Sequence, residues 1–134
     1  MRIAGLGDPG AVIHFELYVI PKSRRAQFRR RARKPLGLAR ELTVAGGGSG
    51  PHLYRVDEQR ATGRIRSLVS LVNLQATEDL WIELTFYATR RGRRATMKRI
   101  WSNEQLASSL HGLESLNAER PRAWAVANGV RQRF

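Results

Sequence analysis

Between residues 12 and 20 the side chains alternate. Ile13, Phe15, Leu17 and Val19 fall on one side, and His14, Glu16 and Tyr18 on the other. A period of two marks a strand, and Pro21 stops it. The pattern returns over 80–88, where Leu80, Ile82, Leu84 and Phe86 oppose Trp81, Glu83, Thr85 and Tyr87. Residues 65–74, IRSLVSLVNL, read as another strand, and the turn-like QATED at 75–79 joins the two as a hairpin. AWAVANGV at 123–130 reads as the last strand. Ser23 is placed to cap a helix over 24–34, with a thin apolar seam of Ala26, Phe28 and Ala32 and a stop at Pro35. Met97, Ile100 and Trp101 mark a helix over 93–101. Ser102 and Gln105 have capping-box spacing, and Leu106, Leu110 and Leu113 form the stripe of a second helix. Residues 36–45 read as a helix extension followed by a short strand, GGGSGP at 46–51 is a flexible connection, and 52–63 show no clear period.

In chain order these elements run strand, helix, strand region, strand, helix, strand. That is the βαββαβ order of a ferredoxin-like α+β sandwich. The pattern predicts one such domain over 12–134, preceded by a flexible Gly-rich arm over 1–11. It places strands 1 and 3 side by side and parallel, with the helices seated on their aliphatic faces. Tyr18, Trp81, Thr85, Tyr87 and Trp124 are then left on an uncovered face. That face is too aromatic to leave in water, so a two-fold pairing of such faces is expected: a homodimer joined sheet to sheet.

Composition narrows the chemistry. The chain has 134 residues and no cysteine, which excludes disulfides, thiolate metal sites and a Cys nucleophile. No apolar run approaches the ~20 residues of a membrane span, and the N-terminus lacks the pattern of a secretory signal, so a cytoplasmic protein is expected. The net charge is +13, from 24 basic and 11 acidic residues. The excess is local. Segments 22–34 and 90–99 hold 14 of the basic residues and no acid. Arg24, Arg25, Arg29, Arg30, Arg93 and Arg94 are the candidate anion-binding residues. With strands 1 and 3 parallel, both helices start at one end of the sheet, and the clusters form one positive face for nucleic acid or another polyanion. The aromatic interleaving of a single-strand reader is missing, so no sequence preference is implied. The plain alternative is a solvated, self-repelling surface.

GLGDPG at 5–10 matches a dinucleotide-loop pattern in letters only, since no strand precedes it and no helix pattern follows. GGGSGP lacks the lysine of a phosphate loop. His14, His52 and His111 have no zinc spacing, so neither a metal nor a cofactor is called for. His14, Glu16 and Tyr18 share a strand face. With strand 3 alongside, Glu83 and Tyr87 join them, and this set is the candidate for general acid–base work. A polar patch inside a dimer seam has the same appearance.

Three stretches resemble small proteins of the dimeric α/β-barrel superfamily: FELYVIPKS at 15–23, EDLWIELTFYATR at 78–90 and MKRIWSNEQL at 97–106. That superfamily includes antibiotic-biosynthesis monooxygenases. The resemblance implies the ferredoxin-like fold and a homodimer. It carries no catalytic set across, and ATRRGRR after Tyr87 and the GGGSG loop depart from it. The expected role is binding a small organic ligand, extending to its oxidation or isomerisation. The alternatives are a nucleic-acid or polyanion binder and a purely structural or regulatory dimer.

Overall fold

The computed structural model describes residues 11–118. Its elements are β1 (Val12–Pro21), a 3₁₀ turn at Lys22–Arg24, α1 (Arg25–Ala45), β2 (Ser49–Arg55), α2 (Gly63–Leu71), β3 (Glu78–Tyr87), α3 (Arg90–Ser102) and α4 (Glu104–Glu114). The chain is therefore mixed α+β. The 123–130 segment, Trp124 and the 5–10 glycine motif lie outside the described residues.

The sheet has the order β1-β3-β2. β3 pairs antiparallel with both neighbours, Glu16 facing Glu83 and Tyr18 facing Trp81 on one side, Tyr54 facing Ile82 on the other. β1 and β2 thus run in the same direction, and α1 crosses over between them with β3 in the gap. This corrects the parallel pairing of strands 1 and 3. It also removes the single positive face, because α1 begins where β1 ends and α3 begins where β3 ends. In antiparallel neighbours those are opposite ends of the sheet, about 30 Å apart for ten-residue strands.

α1 does not stop at Pro35. It runs to Ala45 with the proline inside, because Phe28, Ala32, Leu36, Ala39 and Thr43 continue one buried stripe through it. An interior proline costs about 3 kcal/mol, which burial of Phe28 and Leu36, each contributing roughly 2 kcal/mol, offsets. The following glycines are not a flexible link. Gly47 takes φ 85°, the left-handed turn that closes a helix, and the Gly48 amide donates to the Thr43 carbonyl at 2.9 Å. Gly50, at φ 103°, lies so close to β3 that a Cβ there would stand 2.6 Å from the Leu84 carbonyl oxygen.

The segment expected as a strand over 65–74 is the helix α2. Its Leu68, Val69 and Val72 pack on Leu17, Val19, Leu80 and Ile82. Ile65, Leu68, Val69 and Val72 have helical spacing, which competes with the alternation in the same letters. β3 therefore finds its second partner in β2, and the 65–88 hairpin does not form. The α3–α4 break is capped one residue later than expected: Asn103 Oδ1, not Ser102, accepts from the Leu106 amide at 3.0 Å. Leu106 and Leu113 are buried and Leu110 half-buried, as the stripe required.

The two faces of the sheet are exchanged relative to the sequence reading. The first core joins Tyr18, Ile20 and Trp81 to Phe28, Ala32, Leu36, Leu113 and Leu116, so α1 and α4 sit on the aromatic face. Phe28 stands between Tyr18 and Trp81, with ring centroids 5.2 Å from each. Tyr18, Trp81, Thr85 and Tyr87 are all buried within their own chain. They are therefore not an open face awaiting a second copy. The narrow seam of α1 accommodates large aromatic rings, while α2 covers part of the aliphatic face.

Candidate functional site

β1 and β3 carry His14, Glu16, Tyr18, Glu83 and Tyr87 toward the helices, and all five line one cavity of about 40 Å³. That is room for a few waters or for the reacting end of a ligand. Thr43 from α1, Met97 and Trp101 from α3, and Leu110 and Glu114 from α4 close the rest. Strand parity identifies the first group. The helical residues are not legible in the sequence, since they depend on which face the helices cover.

The polar groups form one chain. Tyr18 Oη lies 2.7 Å from Glu83 Oε2 and 2.8 Å from Glu16 Oε2. A hydroxyl has one proton, so with both contacts made, Tyr18 donates to one carboxylate and accepts from the other carboxyl in its protonated form. Burial, reinforced by the facing charge of Glu16, pushes the Glu83 carboxyl up to about 7. Burial alone would raise Glu16 as well, but hydrogen bonds from His14 and Tyr18 outweigh it and hold Glu16 below the ordinary carboxylate value. Below about pH 7 the arrangement is therefore a neutral Glu83 donating to Tyr18, and Tyr18 donating to an ionised Glu16. Burial, with Glu83 and Glu16 beside it, holds the Tyr18 hydroxyl far above its ordinary value, so it stays protonated. His14 Nε2 stands 3.5 Å from Glu16 Oε1. Arg93 Nη2 lies 3.5 Å from His14 Nδ1 on the other side of the ring.

Tyr87 stands apart from this chain. Its hydroxyl donates to Met97 Sδ at 3.7 Å, and burial raises it above the ordinary tyrosine value. It shapes the wall. Trp101 is 42% exposed and packs at a tilt against His111, ring centroids 5.2 Å apart, marking the rim.

No protein-family model and no curated protein matches this chain. The site's meaning therefore rests on its own chemistry.

The candidate anion-binding residues divide. Arg25 is held by Asp79 through two bonds of 2.6 and 2.8 Å, tying the start of α1 to β3. Arg29, Arg30 and Arg94 are exposed, and Arg24 is half-buried. Arg93 lies behind the cavity against His14, with its Nε buried and without a hydrogen-bond partner among the described residues. The candidate dimer residues Trp81 and Thr85 sit in or beside this same layer. Trp81 Nε1 is likewise buried without a partner among the described residues. Among those residues no three His, Asp or Glu side chains converge as a metal site, and no helix is long and apolar enough to cross a membrane.

Proposed function

We propose that this chain binds a small organic ligand in the Glu16–Tyr18–Glu83 cavity and isomerises it by proton transfer. The observation that carries the reading is the cross-strand carboxyl pair joined through one tyrosine hydroxyl, at 2.7 and 2.8 Å. Two carboxyls whose surroundings push them apart supply one base and one acid at neutral pH. Glu16, ionised, takes a proton from carbon beside a carbonyl, and the C–H electron pair becomes the enol double bond. Glu83 delivers its proton elsewhere on the same framework. Glu16 then passes its proton to Tyr18 Oη while Tyr18 passes its own to Glu83, which restores the site. Atoms and electrons balance without a co-reactant.

The test is solvent deuterium exchange, read by NMR, over a panel of small β-dicarbonyl and α-hydroxycarbonyl compounds in D₂O. Exchange by the native protein that is lost in Glu16→Gln and Glu83→Gln, and sharply reduced in Tyr18→Phe, is the expected result. Exchange that survives all three substitutions, or none with any compound, overturns the proposal.

The ferredoxin-like architecture and the homodimer belong to the same proposal. The order β1-β3-β2 with α1 crossing over supports that reading. Beyond α4, Asn117 Oδ1 accepts from the Val19 amide and the Ala118 amide donates to the Val19 carbonyl, both at 2.8 Å, so the chain returns to the outer edge of β1. The face for a second copy is the aliphatic one: Phe15 and Leu84 are only partly buried, and Tyr54 and Ile65 are 48% and 38% exposed beside it. Sedimentation at micromolar concentration is expected to give a dimer that Phe15→Lys dissociates. A native monomer of about 15 kDa would refute the pairing.

A further inference from the structure

We infer that the outer face of the first half of α1 docks the phosphate backbone of a double-stranded nucleic acid without sequence preference. Residues 22–34 carry eight cations and no acid. Phe28 and Ala32 are turned into the core, while Ala26, Arg29, Arg30, Arg31, Arg33 and Lys34 are exposed. Asp79 neutralises Arg25. Arg29, Arg30, Arg33 and Lys34 have no ion-pair partner among the described residues. Arg25, Ala26, Arg29, Arg30 and Arg33 line a shallow depression of about 380 Å³.

Two features argue against a merely solvated surface. The first turn of α1 holds no acid, and Arg24 occupies its N-cap, at the positive end of the helix dipole. Like charges four residues apart, Arg29 with Arg33 and Arg30 with Lys34, also repel. The sequence thus carries charges that oppose its own helix, and a polyanion offsets both terms. The geometry also suits a backbone. Each pair advances about 6 Å along the axis, giving two short rows of cations on one side.

The same face discriminates between polyanions. An interfacial membrane helix presents Leu, Phe or Trp to the lipid, whereas here the large apolar side chains of this stretch face inward. Single-strand binders place aromatics among their basic residues, and none is exposed between Arg29 and Lys34. A duplex backbone, gripped by arginine at its phosphates, needs neither. The α3 cluster does not share in this, because it lies at the opposite end of the sheet and Arg93 is engaged with His14.

The test is fluorescence anisotropy with a labelled duplex of arbitrary sequence between 50 and 200 mM KCl. Four neutralised phosphates give a log–log salt slope of about −3.6, a weakening of roughly 150-fold over that range. Arg29→Gln/Arg33→Gln is expected to halve the slope to about −1.8, and Arg30→Gln/Lys34→Gln to do the same. Arg91→Gln/Arg94→Gln, which changes net charge equally on α3, should leave the slope unchanged. The thermal midpoint of each α1 variant should equal or exceed the native value, since repulsion is relieved. The proposal is overturned by absence of duplex binding at 50 mM KCl, or by equal loss in the α1 and α3 variants. Tighter binding to single strands, or binding to phosphatidylserine vesicles without duplex binding, overturns it equally.

Discussion

Replacing Glu83 by glutamine should change how stability depends on pH. Glu83 is 8% exposed and faces Glu16 directly across β1 and β3. Its carboxyl is raised to about 7 from an ordinary 4.5. For an acid raised in the folded state, the native protein holds more protons than the unfolded chain between those two values, so unfolding free energy falls as pH rises. The stabilisation is complete below about 4.5 and is lost by the time pH passes 7. The span corresponds to about 3 kcal/mol, or about 10 °C in midpoint for a chain of this length. Glutamine keeps the shape, stays neutral and still donates to Tyr18 Oη. Glu83→Gln should therefore match the native protein near pH 5 and exceed it by up to about 3 kcal/mol at pH 8. Thermal unfolding by circular dichroism at half-unit steps from pH 5 to 8.5 measures the gap, with salt held constant. Glu16 contributes in the opposite sense, its stabilisation being lost as pH falls, and it remains in both proteins. If the two curves run parallel across that range, Glu83 is not protonated in the folded state, and the acid half of the site fails with it.

Trp81→Arg should unfold the chain or cost about 4 kcal/mol or more, because it removes a core aromatic against Phe28 and buries a charge; a folded variant that merely changes oligomeric state in sedimentation would show the face assignment to be wrong. Gly50→Ala should destabilise by about 1–3 kcal/mol in urea unfolding, since alanine is strained at φ 103° and its Cβ would press on the Leu84 carbonyl; an unchanged midpoint would refute a packed glycine turn.

Strand periodicity alone grouped His14, Glu16 and Tyr18 on one face of β1, and Glu83 and Tyr87 on one face of β3. That the two groups share a face was set by the register that opposes Glu16 to Glu83, since a slip of one residue would have put them on opposite faces. The Leu106, Leu110 and Leu113 stripe was equally legible, because leucines at helical spacing have one way to be buried together. Which face of the sheet the helices would take was not legible. Both faces of β1 and β3 carry enough apolar surface to seat a helix, and the choice fell to α1, whose seam fits Tyr18 and Trp81, and to α2, whose letters alternate as well as they wind. Strand direction was also beyond local pattern. Antiparallel pairing depends on α1 running ten residues past Pro35 and on a glycine turn packed against β3, both of which are paid for by contacts far away in sequence. That single choice of direction separated the two arginine clusters, brought Arg93 to His14, and closed α3 and α4 over the carboxyl pair. Local letters specify which side chains travel together; only long-range packing decides what they meet.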